Sequence, residues 1–281
     1  MLAAWHNTAR TGRRGRPADY ADTAILCMAT LAEVYRLPLR ATEGLLRSVT
    51  GLLGVELAVP DYTTLCRRRK ALEVELPRLR KDKPLHLAVD STGVKVYGEG
   101  EWKVRQHGCS RRRTWRRLHL AVDEATKEFV AVVVTTNDFK DSQLLPDLLD
   151  QVADEVEQVS ADGAYDSRNC YEAVRGRGAR AAIPPRDGAR IWRHGNTKAE
   201  RHARDENLRR IRQVGRAAWK RESNYHRRSL AETQVFRVKM IFGARASARS
   251  FAGQAAQLLV RCAALNRMTH AGMPDSYRVA A

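Results

Sequence analysis

Long hydrophobic runs are missing from this chain. No stretch approaches the ~20 apolar residues that span a bilayer, and the best late candidate, AAQLLVRCAAL, is interrupted by Arg261. The N-terminus, MLAAWHNTARTGRRGRP, has no apolar core of the secretory type. A cytoplasmic protein without a membrane partner is expected. Cysteine is sparse and scattered: Cys27, Cys66, Cys109, Cys170 and Cys262 are odd in number and form no C-x-x-C pair, so buried free thiols are expected rather than a zinc or redox site. His107, His119 and His226 show no metal-ligand spacing. Internal repeats and low-complexity tracts are also lacking. Acid falls short of base, with 32 Asp+Glu against 50 Lys+Arg and a formal net charge of +18, which points to a polyanionic partner, nucleic acid first.

What is present is ample for a folded protein: 281 residues, 43% of them hydrophobic, enough for one large domain or two smaller ones. Residues 10–17, RTGRRGRP, are a basic arm that either lies along nucleic acid or is a solvated leader. Apolar positions at helical spacing from Tyr20 to Tyr35 predict a first helix, and Arg40 to Val49 a second. After the breakers Gly51, Gly54 and Pro60, DYTTLCRRRKAL opens on capping types at Asp61 and Thr63 and turns basic. Residues 1–80 therefore suggest a helix-turn-helix-like module whose Arg67, Arg68 and Arg69 reach DNA, or a helical cap with a solvated charged face.

From Leu85 the pattern changes to strands. LHLAVD is a short apolar run ending in Asp90; WRRLHLAVDEATKEFVAVVVTT predicts a hairpin turning at Glu124–Lys127; an amphipathic helix follows from Asp141 to Val156. VEQVSAD, SRNCYEAVRGRG and ARAAIPPR predict strand, helix and strand, so residues 81–281 are expected to form a mixed α/β sheet flanked by helices. Residues 187–222 carry many charges and little apolar pattern and are expected to be an inserted loop, DNA-facing or solvated. A last helix is expected over Ser247 to Thr269.

The chemistry concentrates at three acids. Asp90 and Asp162 each end an apolar run, where a strand presents a carboxylate with its backbone fixed, and Gly163 leaves room for close approach of backbone or substrate. In YHRRSLAETQVFRVK, helical geometry sets Arg228, Glu232 and Lys239 at roughly −60°, −20° and −40° from Tyr225, one narrow face. Leu230, Val238 and Ile241 suit the opposite, core-facing side, and Phe236 alone breaks the division. Three carboxylates in one pocket need a cation, and hard oxygen donors without His or Cys favour magnesium or manganese. Two such ions about 3.5–4 Å apart suit in-line displacement at phosphorus. In KVYGEGEWKVRQHGCSRRRTWRR, the cations Lys103 and Arg105 lie among Trp102 and Trp115, a mixture suited to a DNA backbone with an unpaired base, or simply an exposed hairpin.

These residues resemble the DDE transposases of bacterial insertion sequences, in the group named insertion sequence family five. The signature Y-x2-R-x3-E-x6-K is met by Tyr225, Arg228, Glu232 and Lys239, and VDSTGVKVYGEGEWKVRQHG, SADGAYDSR, IPPR and YHRRSLAE resemble the group's blocks. The resemblance implies a ribonuclease H-like fold with Asp90, Asp162 and Glu232 as catalytic, metal-holding triad, cleavage at inverted-repeat ends and transfer of the freed 3′ hydroxyl to target DNA. It also implies phosphate contacts from Arg228 and Lys239, Tyr225 as their neighbour, a homo-oligomer of at least two copies on double-stranded DNA, and a place at the bacterial nucleoid. Family members carry further residues ahead of AAWHNTARTGRRGRP, which opens a second reading: a shortened, transposase-derived DNA-binding repressor or inhibitor of transposition.

Overall fold

The computed structural model describes residues 4–7, 19–79, 83–96, 115–193 and 201–272. Trp102, Lys103 and Arg105 lie outside the described residues. The chain divides into two compact units, one of Met1–Glu75, Lys95–Arg113 and Val238–Ala264, the other of Leu76–Val94, Thr114–Arg237 and Leu265–Ala281.

In the second unit, runs that are apolar on both faces become the strands of one sheet: β1 (Leu85–Val96), β2 (Trp115–Asp123), β3 (Phe129–Thr135), β4 (Val156–Ser160) and β5 (Arg180–Ala182). Their order is β3-β2-β1-β4-β5. The β2–β3 pair is antiparallel, whereas β4 runs parallel to β1 and β5 parallel to β4. This is the mixed sheet expected from the sequence. The hairpin turns where expected: the Asp123 carboxylate accepts the Ala125 and Thr126 N–H groups at 3.2 and 3.1 Å, and Lys127 takes the left-handed conformation at φ 63°.

Helices α4 (Asp141–Asp150) and α5 (Arg168–Gly176) cover one sheet face. Leu145, Leu148, Leu149, Tyr171 and Val174 pack there on Leu85, Leu87, Val89 and Val159. Burying each large apolar side chain stabilises by about 1.5–3 kcal/mol, which holds the ends of β1 and β4 in fixed register.

In the first unit, α1 (Asp22–Val34), α2 (Leu39–Leu52) and α3 (Tyr62–Arg68) enclose Trp5, Ile25, Met28, Leu46 and Leu65. Asp61 caps α3, accepting from the Thr63 and Thr64 N–H groups at 2.8 and 2.9 Å; these bonds and the two threonine hydroxyls hold its carboxyl far below the usual range. The connection Leu53–Asp61 between α2 and α3 is longer than the three or four residues of a helix-turn-helix. Arg261, which interrupts the late apolar run, lies in α9 (Phe251–His270) and pairs with buried Glu33 at 2.7 Å, beside a Gln257 bond at 2.9 Å.

Two expectations change. The 187–222 segment is no loop throughout: it forms α6 (Ala203–Val214) and α7 (Arg216–Glu222), separated by Gly215 at φ 84°. Its apolar anchors, Leu208 and Trp219, are too few to show a period, but both are buried. The Tyr225 helix is also broken. Asn224 is left-handed at φ 54°, Tyr225–Arg228 is a 3₁₀ turn, and α8 begins only at Ser229 and ends at Phe242. A 3₁₀ turn repeats every three residues, so the single 100° rotation expected for this stretch does not apply.

Candidate active site

Parallel pairing of β1 and β4 sets Leu87 beside Val159 and Ala88 beside Ser160. Two residues on, the same register brings Asp90 level with Asp162, which lies just past the end of β4; Asp90 does not end its own strand as the apolar run suggested, because β1 continues to Val96. Asp162 caps the 3₁₀ turn Gly163–Tyr165, accepting the Ala164 N–H at 2.8 Å. Gly163 is not sterically demanded by the protein, since a side chain there would meet nothing closer than the Pro184 carbonyl at 3.6 Å.

Arg228 joins the acids. Its guanidinium lies 3.8 Å from Asp90 and is hydrogen-bonded to Glu232, one turn into α8. The 3₁₀ repeat stacks Arg228 over the Tyr225 ring at 5.8 Å, and Trp219 flanks the same ring at 6.1 Å. Burial raises the Asp90 pKa; the Ser91 N–H and Arg228 oppose the shift, while Asp162 and Glu232 add to it. Tyr225 is likewise raised, first by burial, with Arg228 opposing and the charge of Asp162 contributing. Asp162 and Glu232 thus both lie near enough to act on the charge of Asp90.

Among the described residues, no three His, Cys, Asp or Glu side chains stand close enough together to hold a metal ion. Glu232 is instead turned to Arg228 and remains 54% exposed. The donor set nevertheless fits a hard divalent ion: all oxygen, crowded with like charge, and already drawing in one cation.

The other expected contacts separate. Arg67 is exposed and donates to the Thr64 hydroxyl at 3.2 Å. Arg68 is tied within the module to Asp22 at 2.7 Å and the Tyr20 carbonyl at 2.9 Å. Arg69 is half-buried beside Ala29, Ala32, Glu33 and Val260. Trp115 packs on β1, where a side chain in place of Gly93 would meet its indole at 3.0 Å. Lys239 follows Glu232 by seven residues on α8. On that helix Ala231, Gln234, Val238 and Phe242 are buried; Leu230 and Ile241 are only partly so, and Phe236 is 62% exposed.

Two models, each described as a transposase DDE domain, match residues 1–99 and residues 81–267. The second covers more than half of the chain. The chain belongs to the DDE transposase family. Among solved structures it is similar to the Drosophila P element transposase strand transfer complex, at 12% identity and a TM-score of 0.34, over 94% of this chain. The chain spans 63% of the length of that one. DDE transposases are DNA-cutting and DNA-joining enzymes that normally use divalent metal ions. No helix among the described residues is long and apolar enough to cross a membrane.

Sequence reasoning missed two clusters of buried polar residues, around Glu124 and His119. Buried Glu124 lies 3.8 Å from His86, 3.7 Å from Arg227 and 3.5 Å from the Ser160 hydroxyl. Burial raises its pKa, opposed by His86 and Arg227. Buried His119 donates to or accepts from the Thr135 hydroxyl at 2.9 Å and lies 3.5 Å from Asp141. Both residues sit in strands or turns that read as ordinary, and their partners come from neighbouring strands, from α4 (Asp141) and from the 3₁₀ turn (Arg227), which only the tertiary fold brings together.

Proposed function

We propose that this chain is a DNA transposase that cleaves at insertion-sequence inverted-repeat ends and transfers the freed end to target DNA. The observation that carries the reading is Arg228, 3.8 Å from Asp90 within β1 and bonded to Glu232 of α8, with Asp162 just past the end of the neighbouring strand β4. The three carboxylates are the groups that would hold magnesium or manganese, two ions in the full site, with Glu232 turning from Arg228 to do so. Bound divalent ions supply charge stabilisation for in-line displacement at phosphorus.

The protein's own part is placement. Asp162 is held by its turn and Asp90 by β1, so both acids are positioned before DNA arrives. Arg228, released from Glu232, is placed to take a phosphate oxygen flanking the scissile bond, and Lys239 another further along α8. Tyr225, packed on Trp219, supports Arg228 through its ring face.

A net charge of +18 supports duplex DNA as partner. In this reading residues 1–80 are a DNA-docking module with exposed Arg67 as its contact, residues 81–281 are the catalytic part, and Trp102, Lys103 and Arg105 join the DNA surface. Two transposon ends must be held together, which calls for at least two copies at the nucleoid.

The test uses a labelled inverted-repeat end, purified protein and magnesium. Asp90→Asn, Asp162→Asn and Glu232→Gln should each abolish nicking and joining while end binding stays within a fewfold of the parent. Full cleavage by any variant removes that residue from the triad. Binding by the parent with neither nicking nor joining assigns the repressor reading.

A further inference from the structure

The turn that carries Asp162 is braced from outside its own sequence. Arg186, just beyond β5, donates from Nε to the Gly163 carbonyl at 3.0 Å and from Nη2 to the Ala164 carbonyl at 3.1 Å. The Gly163 carbonyl already accepts the Asp166 N–H at 3.2 Å, so Arg186 adds a second donor there, and its charge opposes the dipole at the carbonyl end of the turn. The Arg186 backbone N–H in turn donates to Asp166 Oδ2 at 2.9 Å.

Asp166 is itself clamped by the inserted segment. Arg204, only 4% exposed, donates from Nε to Asp166 Oδ1 at 2.6 Å and from Nη2 to Oδ2 at 3.3 Å. A third bond runs from Arg204 Nη1 to the Arg190 carbonyl at 2.8 Å, and Trp192 lies under the guanidinium at 3.9 Å. Asp205, fully buried, accepts the Trp192 and Arg193 N–H groups at 2.9 and 2.8 Å, which fixes that tryptophan. A buried pair held by three guanidinium hydrogen bonds resists opening, because breaking it leaves a charge without compensation.

We propose that Arg186 is a positioning residue for the Asp162 carboxylate, and that the Asp166–Arg204 pair makes the inserted segment the anchor of this brace. The inference rests on Asp162 being a catalytic acid. Arg186 points its donors at main-chain carbonyls, so its role is to hold the turn, and a phosphate would have to compete for the same N–H groups.

Arg186→Ala and Arg186→Lys are compared with the parent in two assays. The first is amide exchange of Ala164, whose N–H reports directly on the Asp162 carboxylate that accepts it, in protein without divalent ions. Arg186→Ala should exchange at least tenfold faster there, with protection in α4 and α5 unchanged. The second is cleavage of the labelled end against magnesium concentration. Loss of a group that orients a ligand typically costs 10–100-fold in metal affinity or activity. The variant should therefore lose about that much rate, need more magnesium for half-maximal cleavage, and bind the end within twofold of the parent. Arg186→Lys, which keeps the charge and one donor, should fall between and serves as the test if Arg186→Ala does not fold. Parent-like exchange at Ala164 overturns the proposal. So does weakened end binding with an unchanged maximal rate, which would make Arg186 a DNA contact. If the parent fails to cleave, or Asp162→Asn cleaves normally, the transposase reading fails while the exchange assay still decides whether Arg186 holds the turn.

Discussion

Replacing Arg228 by Gln gives the sharpest test of how the acids are balanced. The guanidinium is mostly buried, 3.8 Å from Asp90 and bonded to Glu232. Two unit charges about 4 Å apart attract by about 4 kcal/mol at an effective dielectric constant of about 20. Most of that is offset by the solvation Arg228 gave up, and the bond to half-exposed Glu232 contributes at the surface level of about 0–1 kcal/mol. The net loss in Arg228→Gln is then about 1–2 kcal/mol, because Asp90 faces Asp162 and Glu232 with no cation between. At about 2–4 °C per kcal/mol, the melting temperature in chelator should fall by about 2–8 °C. Magnesium at 100 times its dissociation constant stabilises by about 2.7 kcal/mol. In the variant it replaces the missing cation; in the parent it must first displace Arg228 from Glu232. The gap in melting temperature should therefore shrink or reverse in saturating magnesium, measured by calorimetry on both proteins. An equal gap in chelator and in magnesium would refute the shared-cation argument.

Glu33→Ala should cost about 3–5 kcal/mol of unfolding free energy, measured by urea denaturation, since it strands buried Arg261, whereas Arg47→Ala, at an exposed pair with Glu43, should cost under about 1 kcal/mol; equal losses would sink the distinction. The pKa of His119 is lowered by burial, with Asp141 opposing, so its neutral form supports the fold above the unfolded value of roughly 6.5. That support is lost as pH falls through the unfolded value towards the lowered folded one, and His119→Gln should flatten the fall in melting temperature between about pH 6.5 and 5. Parallel curves for the two proteins would show that another group is responsible. End binding should weaken with salt by a log–log slope of about −0.9 per phosphate neutralised, and Arg67→Ala should reduce that slope by about 1 while Arg68→Ala, already committed to Asp22, leaves it unchanged. A slope that responds to Arg68 and not to Arg67 would place the module's DNA face elsewhere.

The apolar stretches of the strands and the hairpin at residues 124–127 were legible in the sequence alone, because both depend on short-range facts, apolar runs of strand length and a polar break between them; that β1 runs on past Asp90 to Val96 was not. The signature spacing from Tyr225 to Lys239 was equally legible, but its helical geometry was not. Asn224 takes a left-handed conformation, which starts a 3₁₀ turn, and no periodicity reveals that. Only the tertiary structure decided what the cations do. Arg67, Arg68 and Arg69 are consecutive in sequence, yet one is exposed, one is paired with Asp22 and one is half-buried in its own module. The charged insertion read as loop because Leu208 and Trp219 are too few to show a period. Its fold is set by Arg204 and Asp205, charges whose burial is tolerable only because Asp166 is brought from outside the segment and the Trp192 and Arg193 amides from its far end. A charge in a sequence carries no mark of its partner, and a partner 38 residues away is set by packing alone.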